Sequence, residues 1–144
     1  MMISTKGRYA LRVMTELASE QEGVLVPLKE IAQKEEISEK YLEAIIKGLV
    51  KAELVIGMRG KGGGYRLAKP ANEYTILEIL EATEGSLAPV ACLEAGHKHC
   101  MRADQCLTLP MWKGLDQLIR DYFKGITLAQ LMKQMKEEQS GCIC

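Results

Sequence analysis

Four glycines within five positions, Gly60 and Gly62 to Gly64 in "LVIGMRGKGGGYRLAKP" (Leu54–Pro70), constrain this chain more than any other feature. No helix runs through such a stretch, because each interior glycine costs about 1 kcal/mol relative to alanine. The flanks Leu54-Val55-Ile56 and Tyr65-Arg66-Leu67 are short β-prone runs, and Pro70 closes the second. The segment therefore reads as strand, glycine-rich tip, strand. A phosphate-binding loop is the competing reading, but there is no G-x-x-x-x-G-K-[ST] and no βαβ context. Arg59, Lys61 and Arg66 surround the tip with positive charge.

What precedes the hairpin is helical. Tyr9, Ala10, Val13, Met14 and Leu17 recur at helical spacing between Lys6 and Ser19. After a turn at Glu22-Gly23 and the short apolar run Val24–Val26, Pro27 sits where a second helix can start, with Leu28, Ile31 and Ala32 on one face. Ser38 reads as the N-cap of a third helix, and Glu39 suits the positive end of its dipole. In that helix Tyr41, Leu42, Ile45, Ile46, Leu49 and Val50 recur at three- and four-residue steps. Two short helices joined by a few residues form a helix-turn-helix, and a basic hairpin behind it makes a winged helix. Leu42, Ile45 and Ile46 are needed inward, so Lys40, Tyr41, Glu43 and Lys47 face a DNA groove or its phosphates. A carboxylate accepts from cytosine N4 and repels phosphate, which gives Glu43 a role in rejecting sequences. The wing reaches phosphates or a minor groove, where narrow tracts attract Arg.

Charge agrees in direction. The chain has 19 Lys+Arg against 19 Asp+Glu, but the first 70 residues carry 12 against 9 and the remainder 7 against 10, balances of +3 and −3. An apolar fraction of 47% is enough for a core. No run of about 18 apolar residues offers a membrane span. The start "MMISTKGRYALRVM" lacks a secretory layout. The expectation is a cytoplasmic protein with no membrane partner, whose thiols stay reduced.

That setting frames "CLEAGHKHCMRADQC", where Cys92, Cys100 and Cys106 stand with His97 and His99. The spacing C-x7-C-x5-C has no closely spaced pair of the kind zinc sites favour. Soft sulfur suits an iron–sulfur cluster, zinc or copper(I), and thiol redox sensing remains open beside them. His97 and His99 are candidates for a fourth ligand, ahead of the harder Asp104 and Glu94. Cys142 and Cys144 in the tail "SGCIC" are further thiols. A Cys–His nucleophile would imply catalysis. No oxyanion-forming motif or dinucleotide fingerprint accompanies one, so no enzyme is expected.

Downstream, Leu115, Leu118, Ile119 and Tyr122 follow the i, i+3, i+4, i+7 rule, with Trp112 and Phe123 nearby. Residues 108–124 are expected to form a long helix whose apolar face is either ordinary core or a subunit interface, the interface being favoured since paired half-sites need a two-fold protein. "TILE" (Thr75–Glu78) and "TLAQ" (Thr127–Gln130) fit capping boxes, the second opening a last helix through Glu138. The fold class is mostly α: a winged helix-turn-helix over 1–85, a cysteine-rich sensor loop over 86–107, and a dimerisation helix with C-terminal tail over 108–144.

"STKGRYALRVMTELA", "VPLKEIAQKEEISEKYLE", "RGKGGGYRLAKP" and the three cysteines together resemble the IscR/NsrR/CymR family of bacterial winged-helix transcription regulators, from about Ile3 to Leu131. The resemblance implies a homodimer on a palindromic promoter site in double-stranded DNA. Each helix Ser38–Lys51 would lie in a major groove, with each wing against a minor groove. The DNA-reading set is then Lys6, Arg8, Ser38, Lys40, Tyr41, Glu43, Lys47, Arg59, Gly60, Lys61 and Gly62. It further implies that Cys92, Cys100 and Cys106 hold one iron–sulfur cluster per subunit, 2Fe–2S rather than 4Fe–4S. The state of that cluster would tune a repressor to iron–sulfur status, nitric oxide or redox. The alternative is a regulator sensing through thiol oxidation or a protein partner, without a metal. Some cluster-binding relatives carry a histidine three residues after the last cysteine, where this chain has Leu109. Others use a carboxylate from the partner's first helix, where it has Arg8.

Overall fold

The computed structural model describes residues 3–98 and 100–141. Three helices come first: α1 (Thr5–Ser19), α2 (Leu28–Glu35) and α3 (Glu39–Lys51). A hairpin of β1 (Val55–Met58) and β2 (Gly64–Leu67) follows, then α4 (Ile76–Glu84), α5 (Leu109–Lys124) and α6 (Leu128–Gly141). Between α4 and α5 the described residues form two short 3-10 turns, Ala91–Leu93 and Ala103–Gln105. The expected winged helix with a long C-terminal helix is what the chain forms.

The caps explain where the helices start. Ser38 accepts from the Tyr41 amide at 3.1 Å and opens α3. Thr75 accepts from the Glu78 amide at 3.2 Å and opens α4. At α6, Thr127 Oγ1 accepts from the Gln130 amide at 3.1 Å while Gln130 Oε1 accepts from the Thr127 amide at 2.9 Å, a reciprocal capping box. Pro27, expected inside the first turn of α2, is instead its extended N-cap residue, with φ −63° and ψ 145°.

β1 and β2 pair antiparallel with Val55 opposite Leu67 and Met58 opposite Gly64. Val26 adds a third edge: its amide donates to the Tyr65 carbonyl and the Tyr65 amide donates back, both at 2.9 Å. The run Val24–Val26 thus anchors the wing to the segment between α1 and α2. At Gly64 a Cβ would come within 2.6 Å of the Val26 carbonyl, so only glycine permits this approach.

The core collects Val13, Met14 and Leu17 of α1, Ile31 of α2, Leu42, Ile45, Ile46 and Leu49 of α3, Val55 of β1, and Ile76, Ile79 and Leu80 of α4. Tyr74 is fully buried within it. Its hydroxyl donates to the Leu54 carbonyl at 2.6 Å and accepts from the Ala68 and Lys69 amides at 2.9 and 3.2 Å. The ring thereby ties both ends of the hairpin to α4, and burial raises the phenol pKa above its usual range.

The C-terminal segment returns to this core. The Leu128 amide donates to the Tyr74 carbonyl at 3.0 Å, the Ile76 amide donates to Ile126 at 2.9 Å, and Leu128 is fully buried. Helix α5 spans the gap between loop and core without burying any residue of its own. Ile119 and Phe123 pack against the core from its inner side. Met111, Leu115, Leu118 and Tyr122 form the outer row and are 59%, 39%, 69% and 66% exposed. Ile119, expected on the same face as Leu115 and Leu118, therefore faces inward. Arg120 Nη1 lies 3.0 Å from Glu81 Oε1 on α4, an ion-pair contact outside hydrogen-bond alignment. No helix among the described residues is long and apolar enough to cross a membrane.

Candidate nucleic-acid interface and cysteine pocket

Burial of Leu42, Ile45, Ile46 and Leu49 fixes the roll of α3 and leaves Ser38, Lys40, Tyr41, Glu43 and Lys47 exposed. Glu43 and Lys47, one turn apart, lie 3.4 Å from each other. Tyr41 meets Tyr9 of α1 edge to face at 6.0 Å between centroids, and the Arg12 guanidinium sits 5.1 Å over the Tyr9 ring. These contacts stiffen the start of α3 against α1. Val50, counted on the inward stripe, is exposed.

The wing tip turns on Gly60 and Gly62, at φ +98° and +77°, which favour glycine. The Gly63 amide donates to the Gly60 carbonyl at 3.0 Å, and a Cβ at Gly63 would strike the Met58 carbonyl. Arg59, Gly60, Lys61 and Gly62 are all exposed there. Between wing and α3 lies an open groove of about 770 Å³ whose lining includes Glu43, Lys47, Lys51, Met58, Arg59 and Gly60. Lys51 and Met58 were not singled out in the sequence. Lys51 stands one turn after Lys47 on the same face, a periodicity that would have found it. Arg66 does not join the tip: it pairs with Ile56 in the strands and its Nη1 donates to the Leu67 carbonyl at 3.2 Å.

Lys6 and Arg8 lie apart from this groove, on the first turns of α1. Lys6 is half-buried, whereas Arg8 is exposed and donates to Thr5 Oγ1 at 3.2 Å.

The cysteine loop gathers its thiols around one cavity of about 350 Å³. Cys92, Cys100 and Cys106 all line it, with His97, Asp104 and Lys113. Among the described residues, no three Cys, His, Asp or Glu side chains converge closely enough to hold a metal ion. The donor types nevertheless fit an iron–sulfur group, with three thiols and an imidazole lining one cavity. Cys106 has a perturbed thiol. Its sulfur lies 3.4 Å from Thr108 Oγ1, and that contact, followed by the Thr108 and Leu109 amides at the start of α5, holds the thiol below its usual range. Glu94 does not line the cavity, and Leu109 does. His99, Cys142 and Cys144 lie outside the described residues.

Comparison with known proteins decides the family. Residues 3–134 match the family model described as Rrf2, an iron-dependent transcriptional regulator. The chain belongs to the Rrf2 family. Among its Rrf2 relatives, the HTH-type transcriptional regulator IscR of Pectobacterium carotovorum is 37% identical over 132 residues, covering 92% of this chain and 79% of the relative. IscR of Vibrio campbellii is 38% identical over 133 residues, covering 92% and 78%. Of solved structures, CymR (YrzC), the global cysteine regulator of B. subtilis, superposes with a TM-score of 0.74 at 34% identity, covering 93% of this chain and 98% of that one. T. potens IscR superposes with a TM-score of 0.75 at 32% identity, covering 96% and 91%. As an Rrf2 member the chain is a DNA-binding transcriptional regulator, a non-enzymatic role.

Proposed function

We propose that this chain is a cytoplasmic repressor that binds a palindromic promoter site as a homodimer. In this reading its operator affinity is set by an iron–sulfur cluster, 2Fe–2S rather than 4Fe–4S, held by Cys92, Cys100 and Cys106. The observation that carries the reading is the shared cavity, where all three cysteines face one space at the foot of α5. Residues 1–85 read DNA, 86–107 sense, and 108–144 pair the subunits.

The residues divide the work by their chemistry. Lys6, Arg8, Lys40, Lys47, Arg59 and Lys61 neutralise phosphates, and the glycines at 60 and 62 let the wing backbone approach the duplex. Ser38 and Tyr41 meet the groove at the start of α3, and Glu43 rejects unsuitable bases. Met111, Leu115, Leu118 and Tyr122 cover the same row on a second copy. Cluster ligands must be deprotonated, and the Thr108 hydroxyl, followed by the Thr108 and Leu109 amides, already holds the Cys106 thiol below its usual range. When bound, an iron–sulfur group supplies a redox-active centre and a crosslink among three points of the loop. Two of those points, Cys92 and Cys100, are exposed, and the third abuts α5, so ordering the loop acts directly on the dimer helix.

Anaerobic reconstitution with iron and sulfide tests the reading. The wild type is expected to gain visible charge-transfer absorption and to change its DNA affinity by ~5- to 150-fold. Each of Cys92→Ala, Cys100→Ala and Cys106→Ala should lose the chromophore and stay in the cluster-free affinity state. The same chromophore in the triple variant, or none in the wild type, overturns it. A switch by thiol oxidation then takes its place, favoured by the exposed, unpaired Cys92 and Cys100 and the acidified Cys106.

A further inference from the structure

The start of α1 is capped from outside its own helix. Ser4 is the N-cap: its Oγ accepts from the Gly7 amide at 3.4 Å and donates to Glu84 Oε1 at 2.7 Å. The Ser4 amide donates to the same carboxylate oxygen at 2.9 Å. Gly7 is buried directly beneath, and a Cβ there would collide with Glu84 Oε1. No acidic residue of α1 itself occupies its first turn, so the carboxylate facing the positive end of this helix comes from α4. Glu84 is the last residue of α4, and at Gly85, φ +78°, the chain leaves for the cysteine loop.

An ordinary tertiary cap would explain the hydrogen bonds but assigns no consequence to where they sit. The turn being held carries Lys6 and Arg8, which lie outside the groove between α3 and the wing and so need their own means of orientation. The Arg8 guanidinium donates to Thr5 Oγ1, within the same turn. Ala10 is the first residue of α1 within the apolar core; upstream of it Ile3 and Tyr9 pack against that core while partly exposed, and between them the Glu84 clamp holds Ser4 over Gly7.

We propose that Glu84 is a positioning residue for DNA binding: by clamping Ser4 over Gly7 it holds the first turn of α1 so that Lys6 and Arg8 meet the phosphate backbone. The proposal rests on the placement of Lys6 and Arg8 in the DNA-reading set. Glu84 touches no DNA itself. Because it also ends α4, the entry to the cysteine loop and the turn bearing the two cations share one fixed point.

The test uses the full-length chain and a duplex enriched by the wild type from a random pool, with log K measured against log salt. Glu84→Ala should weaken binding several-fold and flatten the slope by about one to two units, as expected for one or two lost phosphate contacts. Glu84→Gln keeps an oxygen acceptor for Ser4 and should restore the slope. In a Lys6→Ala/Arg8→Ala background, Glu84→Ala should have no further effect on slope. A fall in melting temperature or affinity without a change of slope overturns the proposal, as does an equal slope change in both backgrounds. If Lys6→Ala/Arg8→Ala alone leaves the slope at its wild-type value, the underlying placement of those two residues fails and the proposal with it. Ser4→Ala, which spares the Ser4 amide bond to Glu84, gives a milder form of the same measurement should Glu84→Ala not fold.

Discussion

Helices α3 and α5 are both amphipathic and similar in length, 13 and 16 residues, yet they end in opposite circumstances. Every strongly apolar inward position of α3 finds a partner within the chain, from Leu42 to Leu49. Helix α5 is seated on α4 and the core through Ile119 and Phe123, but its outer row of Met111, Leu115, Leu118 and Tyr122 remains exposed. The difference teaches that amphipathicity marks a face that must be covered, and topology decides whether the chain covers it. The apolar face of α3 is covered within the chain. The half carrying the cysteines leaves an apolar row that a second copy would complete.

The sharpest way to break this comparison is to spoil the α5 row. Leu118→Glu should leave the fold intact, convert a dimer to monomer in sedimentation, and lower operator affinity by about 10²–10⁴-fold as the two half-sites cease to be linked. A monomeric wild type, or a variant that dimerises as before, would reassign the row. Next in size is the contrasting change in α3: Ile45→Ala, at a fully buried position, should cost about 2–5 kcal/mol in urea denaturation. At the wing, Arg59→Ala with Lys61→Ala should flatten the salt slope of DNA binding by roughly one to two units.

Glu43→Ala should then change preference more than strength, broadening the motif recovered by site selection. It also releases Lys47 from its partner at 3.4 Å, so overall affinity should hold or rise slightly. The smallest effect belongs to the cysteine loop. Thr108→Val removes the hydroxyl beside Cys106, so the pH midpoint for alkylation of that thiol in cluster-free protein should move upward. The sign follows from the depressed folded-state pKa. Folding favours the thiolate, and this contribution is present above the unfolded-state value and lost as pH falls through the folded one. An unmoved midpoint would leave the α5 amides as the cause.

Local signals carried much of this into the sequence. Ser38, Thr75 and Thr127 announce their helices because a cap needs only the next three residues, and the glycine cluster announces the wing because no other element tolerates it. What stayed hidden depends on partners far along the chain. Val26 reads as a short apolar run until Tyr65 is beside it, and Leu128 reads as the start of a tail helix until it is found against Tyr74. Ile119 and Leu118 are adjacent and equally apolar, so only the position of the core separates the inward one from the outward. At the candidate site, spacing brought Cys92, Cys100 and Cys106 into one loop. Their common cavity and the link from Cys106 to the start of α5 needed the fold.

The seat of α5 has a mechanical consequence. Its C-terminal part is held by Ile119 and Phe123 against the core, by Arg120 beside Glu81 and by Leu128 just beyond, whereas its first turns, with Leu109 and Lys113, border the cysteine cavity. The ten residues from Leu109 to Leu118, at 1.5 Å each, make an arm of roughly 15 Å ahead of those anchors. A tilt of about 10° around that pivot would sweep the Cys106 end through roughly 2.6 Å. Read in reverse, gearing of this kind lets a displacement of a few ångströms at the cysteines appear at the pivot as a fine rotation, delivered to the strand-like junction of Thr75 with Thr127. Tyr74 stands next to that junction with its hydroxyl on the root of the wing, so the arm's fulcrum and the wing's hinge are neighbours in one hydrogen-bonded frame.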